Sequence, residues 1–396
     1  MIRVSTFNFY DSSNQSINGD QSALVNTQQE LATGKQINSP ADNPVGAGQA
    51  ALLQSDLSQL GQYASNQKQA SQLLGNSSAT LTQMLNILQS VNTTLVQAGN
   101  GTLSAANRSA LATQLQQQFS ALVGLANTGD GQGGYLFGGS ANGSPPFVQN
   151  GTTVTYAGDN LAPAVQISAT SSAQTKFPGG GVFMQVPTGN GVFATAALAS
   201  NTGSGAISPG SVTNPGALTG DQYSITIGAG GSTYTVQNTS TGATVATGAY
   251  SGPTTLNFDG MQVQLSGAPA AGDTFTVAPA GTQSVFSIVA GAISALQAPV
   301  GAASSAALST ALGGVNQSIT SLSTTQAAMG TQLQQLNSYG NINSTQTLQD
   351  QTQMSNLVDV NYAQAVSQLS QQQTQFQAAL QSYAAISKLS LFNYVA

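Results

Sequence analysis

The sequence predicts a mainly α-helical protein with a β-rich insertion. Its N- and C-terminal segments form a long antiparallel, coiled-coil-like helical bundle, and its middle forms a small all-β domain. Three observations carry this reading. The composition changes twice along 396 residues: both ends are rich in Gln, Leu, Ala and Ser, while about 131–283 holds most of the Gly and Pro. Apolar residues in the ends recur in alternating steps of four and three, the period of a helical seam. Those in the middle alternate every second residue, the period of strands with one buried face.

The clearest seam is Leu308, Leu312, Val315, Ile319, Leu322, Gln326, Met329, Leu333 and Leu336, in which only Gln326 interrupts the apolar stripe. Leu81, Met84, Leu88, Val91 and Leu95 repeat the spacing earlier, with Leu53, Leu57 and Leu60 ahead of them. A helix over about 47–98 exceeds the mean globular helix of about 12 residues several-fold, so it belongs to a rod or bundle. Ser104 or Asn107 is a candidate cap for a shorter helix carrying Leu111, Leu115, Phe119 and Leu122 inward. Near the C-terminus, Tyr362, Val366, Leu369, Gln373, Phe376, Leu380 and Tyr383 keep the same spacing; near the N-terminus Ile17, Leu24 and Leu31 recur every seven residues. That N-terminal stripe is thin, so its helix needs a partner. Gln326 and Gln373 either fix register as buried amides or mark a wet seam edge.

Between the first two helices, Gly34 to Pro44 carries two prolines with Asn and Asp and reads as an ordered turn. In the middle, Thr153–Tyr156, Val165–Ile167, Tyr223–Ile227, Thr233–Val236, Met261–Leu265 and Asp273–Val277 read as strands punctuated by glycines. The span 190–283 suffices for one antiparallel sandwich or barrel, with about 200–220 expected as loop. The expected divisions are 1–46, 47–189 with a β-hairpin region, 190–283, 284–350 as a single return helix, and 351–396.

Composition excludes much chemistry. Charged residues make up 5% of the chain, against about 25% in ordinary globular domains. There is no His and no Cys, which removes imidazole catalysis, thiol chemistry and the usual zinc, haem and iron–sulfur sites. Six basic residues cannot track a phosphate backbone or hold an anionic bilayer, so neither nucleic acid nor membrane is an expected partner. No apolar run reaches the length of about 18 residues that spans a bilayer, and Met1–Phe9 does not look like a cleavable secretory leader. Asp221, Asp259 and Asp273 are candidates for a hard-cation cluster or a carboxylate pair, but each sits where Asp is an ordinary turn residue. Asp350 and Asp359, nine apart on an expected helical stretch, do not face each other. Gly46–Ala51 fits a dinucleotide fingerprint only formally, lacking the preceding strand, and Gly133–Ser140 lacks a P-loop lysine. No catalytic residue, cofactor or metal is expected. A surface of Gln, Ser, Thr and Asn buries in an interface at lower desolvation cost than charges do, which suits a surface covered by other subunits.

The turn Ala32–Pro44, with Gly34, Asn38, Pro40, Asp42 and Pro44, resembles the N-terminal signature of the flagellin and hook-associated protein family. Leu357–Val366 and Ser387–Val395 resemble its C-terminal one. Tyr135–Ser140, Pro145-Pro146-Phe147, Tyr156–Asp159 and Gly181-Val182-Phe183 are similar to mid-chain motifs of its hook–filament junction members. Phe258–Met261 with Gly267–Val277 resembles a β module of the first hook-associated protein. The family usually carries more charge at the places held here by Gln36, Asn43, Asn361 and Gln364, so its salt-bridge pattern does not carry over.

The resemblance implies a structural subunit of the bacterial flagellum that forms the junction between hook and filament by helical self-assembly. It implies an inner layer packed through Ile17, Leu24, Leu31, Tyr362, Val366, Leu369, Phe376, Leu380 and Tyr383. The Leu81–Leu95 and Leu308–Leu336 seams make a middle layer, and the β domain lies outermost. The implied partners are copies of the chain itself, the first hook-associated protein on the hook side, flagellin on the filament side and a cytoplasmic export chaperone. The implied location is extracellular, reached without a cleaved signal. Filament flagellin, or a secreted adhesin with a β head on a helical stalk, are the alternatives.

Overall fold

The computed structural model describes residues 6–141, 143–198 and 200–395. Helical N- and C-terminal segments flank a β-rich middle. The helices are α1 (Thr6–Thr33), α2 (Pro44–Ala98), α3 (Ala105–Ala126), the short α4 (Gly179–Phe183), α5 (Val285–Gln297), α6 (Ala302–Val358) and α7 (Tyr362–Val395). The chain divides into two compact units, residues up to 65 with those from 339 onward, and residues 66–338.

In the first unit, α1 packs on α7. Tyr10 meets Tyr383 edge-on at 5.9 Å, while the end of α1 is tied to the start of α7, so the two helices run antiparallel.

In the second unit, buried positions along α2 step by four and three without a break: Gln67, Ala70, Leu74, Ser77, Leu81, Met84, Leu88, Val91, Leu95 and Ala98. Ser104 caps α3 by accepting from Asn107 N–H, and Leu115, Phe119 and Leu122 point into the core. Ser284 and Ser287 form a reciprocal capping box on α5, and the Arg108 guanidinium caps the other end of α5 through the Ala295 and Ala298 carbonyls.

The β domain is a sandwich. A five-stranded antiparallel sheet runs in the order 244–249, 233–238, 223–227, 274–279, 193–197. A second sheet pairs 254–258 with 261–266, which in turn pairs with the short strands 206–207 and 211–212. Tyr223, Ile225, Ile227, Val236, Phe275 and Val277 from the first sheet share one core with Leu256, Phe258, Met261, Val263 and Leu265 from the second. Two further antiparallel strand pairs, 147–150 with 153–156 and 164–166 with 172–174, precede it in the chain.

Three expectations need correction. The segment 200–220 is not all loop, because Ile207 pairs with Leu265 and Val212 with Met261 across the second sheet. The span 284–350 is not one helix: Pro299 and Gly301 separate α5 from α6. The expected boundary at 350/351 falls inside α6, whose break comes at 359–361. There Ser355 donates to the Asp359 carboxylate and Asn361 accepts from Gln364 N–H at the start of α7. Asp359 therefore lies off the helix that carries Asp350.

Candidate functional site

The turn after α1 is a closed network of short-range bonds. Gly34 sits at φ +71°, a left-handed conformation that terminates α1. The Asp42 carboxylate accepts from Asn38 N–H at 2.9 Å and Ser39 N–H at 2.7 Å. These donors, Ser39 first, hold its carboxyl below the ordinary value. The Asn38 amide donates to Lys35 C=O. Asn43 then caps α2 by accepting from Gly46 N–H, and Pro44 occupies the first helical position, where a missing N–H costs nothing. Pro40 lies exposed at the apex of the turn.

This turn is stitched to the tail motif. Lys35 and Asp359 form a β-bridge. Gln36 N–H donates to Val358 C=O at 2.7 Å, Val360 N–H to Gly34 C=O at 2.9 Å, and the Gln36 side chain to Leu357 C=O. Two segments more than 300 residues apart thus make one structural element, which sets the start of α7 beside the end of α1.

The terminal apolar residues divide into two sets. Ile17, Leu24, Leu31, Leu369, Phe376 and Tyr383 are half-buried, and the pair is closed by the buried Thr27 and Ala365. Tyr362, Val366 and Leu380 stay 57%, 55% and 43% exposed, and Val25 is 51% exposed. The seven-residue stripe on α7 therefore does not face α1 as a whole. Gln373 is exposed along with the outward set.

In the second unit the seam residues Leu81, Met84, Leu88, Val91 and Leu95 are buried. On α6, every seventh residue (Leu308, Val315, Leu322, Met329, Leu336) is buried, and the intervening Leu312, Ile319 and Leu333 are half-buried. Gln326, at an intervening position, donates to Thr82 Oγ1 at 2.7 Å and to Ser78 C=O. It is a register-fixing contact between α6 and α2.

The mid-chain motifs converge on one aromatic knot. Phe137 meets Phe183 edge-on at 4.9 Å, and Phe147 meets Phe183 edge-on and Tyr156 and Phe286 at a tilt, at 5.1–5.5 Å. Asp130 and Lys176 form a buried ion pair at 2.7 Å. Lys176 Nζ also donates to Tyr135 C=O, and Asp130 accepts from Gln132 and Gly134 N–H. Burial pushes the Asp130 carboxyl up, but the Lys176 ammonium and those two N–H groups outweigh it and hold it below the ordinary value. Asp159 accepts from the Ser140 hydroxyl and N–H, which fixes the Gly138-Gly139 turn. Gly133–Ser140 is thus a structural turn, and Gly46–Ala51 lies on the first turns of α2.

Asp221, Asp259 and Asp273 serve separate local roles. Asp221 accepts from the Asn238 amide, Asp259 from the Tyr223 hydroxyl, and Asp273 from the N–H groups of Thr202, Gly203 and Ala270. Among the described residues no three acidic groups gather as a metal site, and no helix is long and apolar enough to cross a membrane. Sequence reasoning missed the Asp130–Lys176 pair. Its only signal was the rarity of charge: a lysine between strands in such a chain asks for a carboxylate.

Comparison with known proteins places this geometry. Residues 4–142 match the bacterial flagellin N-terminal helical region, 196–279 the D2-like domain of flagellar hook-associated protein 1, and 312–395 the bacterial flagellin C-terminal helical region. Over 99% of both chains, the sequence is 26% identical to flagellar hook-associated protein 3 of Salmonella typhimurium. The fold is similar to the crystal structure of Xanthomonas campestris FlgL, with 31% identity, TM-score 0.65, and coverage of 71% of this chain and 94% of that one. It is also similar to flagellar hook-associated protein 3 of Legionella pneumophila, with 28% identity, TM-score 0.71, and coverage of 78% and 98%.

Proposed function

This chain belongs to the FlgL family, the hook-associated protein 3 family of structural proteins at the flagellar hook–filament junction, and on that premise we propose how it assembles. Copies of the chain join side by side through the outward faces of α1 and α7, which become the innermost layer. The α2–α6 seam forms the middle layer and the β sandwich the outermost.

The observation that carries this reading is the outward set Tyr362, Val366 and Leu380 on α7 with Val25 on α1. A terminal helix pair that satisfies its own turn so fully, yet leaves large apolar side chains in water, gains by packing against further copies. Scarce charge supports it, since a Gln- and Ser-rich surface desolvates at lower cost than a charged one.

The hook side meets the first hook-associated protein, whose D2-like domain is matched by residues 196–279, and the filament side meets flagellin. The chain travels out uncleaved by the flagellar export route, held first by a cytoplasmic chaperone, and it has no enzymatic role. Electron microscopy of cells lacking this protein tests the reading: hooks without attached filaments and flagellin released into the medium are expected, whereas normal attached filaments overturn it.

A further inference from the structure

Four Asn–Gly pairs lie wholly within the described residues: Asn18-Gly19, Asn100-Gly101, Asn150-Gly151 and Asn190-Gly191. As dipeptides they are identical, yet the fold treats them differently. Asn18-Gly19 is inside α1, where backbone N–H groups are engaged in the helix. Asn190 donates to Gly210 C=O and accepts from Val192 and Phe193 N–H, while Gly191 N–H is spent on Thr188 C=O. Asn150 closes a strand pair opposite Thr153, so the ladder keeps its backbone extended.

Asn100-Gly101 follows the end of α2 and is exposed. Its side-chain carbonyl accepts from Thr102 N–H at 3.2 Å and from Thr102 Oγ1 at 2.9 Å. Among the described residues nothing accepts from its amide nitrogen or from Gly101 N–H, and the space around Gly101 Cα is open for 4 Å beyond a built Cβ. Two donors on the carbonyl oxygen make the amide carbon more electrophilic and stabilise the oxyanion that forms when it is attacked. A free glycine N–H one residue on is the unhindered intramolecular nucleophile.

We propose that Asn100 is a self-modification site that converts to aspartate and isoaspartate. Gly101 N attacks Asn100 Cγ, forming a C–N bond and a five-membered succinimide. The Cγ–Nδ2 bond breaks, and ammonia leaves with the proton given up by Gly101 N. Water then opens the ring at either carbonyl, which yields a carboxylate in a normal or a lengthened backbone. Asn100 and Gly101 line a cavity of about 370 Å³ together with Val96, Leu103, Arg108 and Val300. The reaction therefore sets an anion at the rim of that cavity, beside the C-terminal end of α2, where the helix dipole disfavours negative charge.

The test incubates the purified full-length protein in mildly alkaline buffer and follows each Asn–Gly pair by peptide mapping, with fragmentation that separates isoaspartate from aspartate. Conversion at Asn100 should outrun that at Asn150 and Asn190 several-fold, and Thr102→Val, which deletes the hydroxyl donor, should slow Asn100 alone. In concentrated urea the same pairs should converge, because the fold sets the order. Asn150 or Asn190 reacting as fast as Asn100 in the native protein overturns the proposal. So does a rank order that survives in urea, or a Thr102→Val rate equal to the parent's.

Discussion

The Tyr362 hydroxyl lies against Gly34, so close that a Cβ built there would be 3.0 Å from the oxygen, and Gly34 also holds φ +71°. The left-handed backbone therefore requires glycine where the N-terminal turn meets the start of α7, and the Tyr362 hydroxyl leaves a Cβ there only tight room. Gly34→Ala should destabilise the terminal pair by about 1–2 kcal/mol from the left-handed backbone alone, with the Tyr362 contact adding to it. Hydrogen exchange across 15–35 and 360–380 measures the effect. Tyr362→Phe removes the hydroxyl and should recover only the contact part of the loss in the double mutant. Full recovery, or none, would show that one of the two constraints is absent.

Leu380 separates assembly from folding. It is 43% exposed in the subunit, so Leu380→Asp should leave the melting temperature of the purified protein within a degree or so of the parent. In an assembled inner layer the same aspartate is buried with no cation near by in sequence except Lys388. The loss is about 3 kcal/mol or more per interface, the usual cost of an unpaired buried charge. Attached filaments should fall sharply while export continues. A large drop in melting temperature, or wild-type motility, would remove Leu380 from the subunit contact.

Lys176 gives the opposite pattern, a charge that matters within the fold. Lys176→Met leaves the Asp130 carboxylate buried with only the Gln132 and Gly134 N–H groups as partners. A loss of about 3–5 kcal/mol is expected. Adding Asp130→Asn keeps an acceptor for both N–H groups and removes the stranded charge, so the double mutant should regain more than half of the loss. Thermal melts of the three proteins decide it. A double mutant no better than Lys176→Met would mean that the ammonium acts through Tyr135 C=O and not through the ion pair.

How much of this was legible in the sequence depends on what each position is made of. Leu81 to Leu95 and Leu308 to Leu336 announced their seams because apolar residues stand at the buried positions. The α2 seam begins much earlier, at Tyr63, Gln67, Ala70, Leu74 and Ser77. There, small and polar residues fill seam positions, and an apolar count passes over them. The α6 repeat likewise runs on beyond Leu336 to Asn343 and Asp350, both buried. Strands 193–197 and 244–249 escaped notice because Ala, Thr and Gly carry little alternation, and their place is set by pairing with 274–279 and 233–238. The turn and tail motifs were each visible, but their bridge at Lys35 and Asp359 joins distant segments through backbone atoms, which leave no mark on side-chain identity.

Acid should weaken the fold through carboxylates tied to backbone N–H groups. Ser39 and Asn38 hold the Asp42 carboxyl low; Ser140 does so for Asp159; for Asp273 burial opposes the shift, but Ala270, Thr202 and Gly203 outweigh it. A group whose pKa is lower folded than unfolded contributes stability above its unfolded value and loses it as pH falls through the folded one. The melting temperature should therefore stay flat from neutral pH down to the ordinary carboxylate range and drop below it. Asp273→Asn, which keeps one acceptor oxygen, should be less stable than the parent at neutral pH and converge on it in acid. A gap that persists unchanged in acid would assign the loss to packing.

The β sandwich should be removable because its two ends meet on one rung. Val186 and Pro187 pair with Gln283 and Thr282, Thr188 N–H donates to Gly281 C=O, and Gly281 N–H donates back to Thr188 Oγ1. Chain entering and leaving the sandwich is thus already side by side, and a short Gly-Ser turn replacing 190–280 closes a small loop at low entropic cost. The sandwich core, from Phe193 to Val277, is drawn from its own strands, so the excision exposes none of the Phe137–Phe147–Phe183–Phe286 knot by removing a member of it. The shortened protein should keep its helical circular dichroism and a cooperative melt, and should still be exported and incorporated at the junction. Loss of helical signal would show that the sandwich supports the helices. A folded, exported protein that fails to hold filaments would instead move an essential contact from the terminal helices to the outer domain.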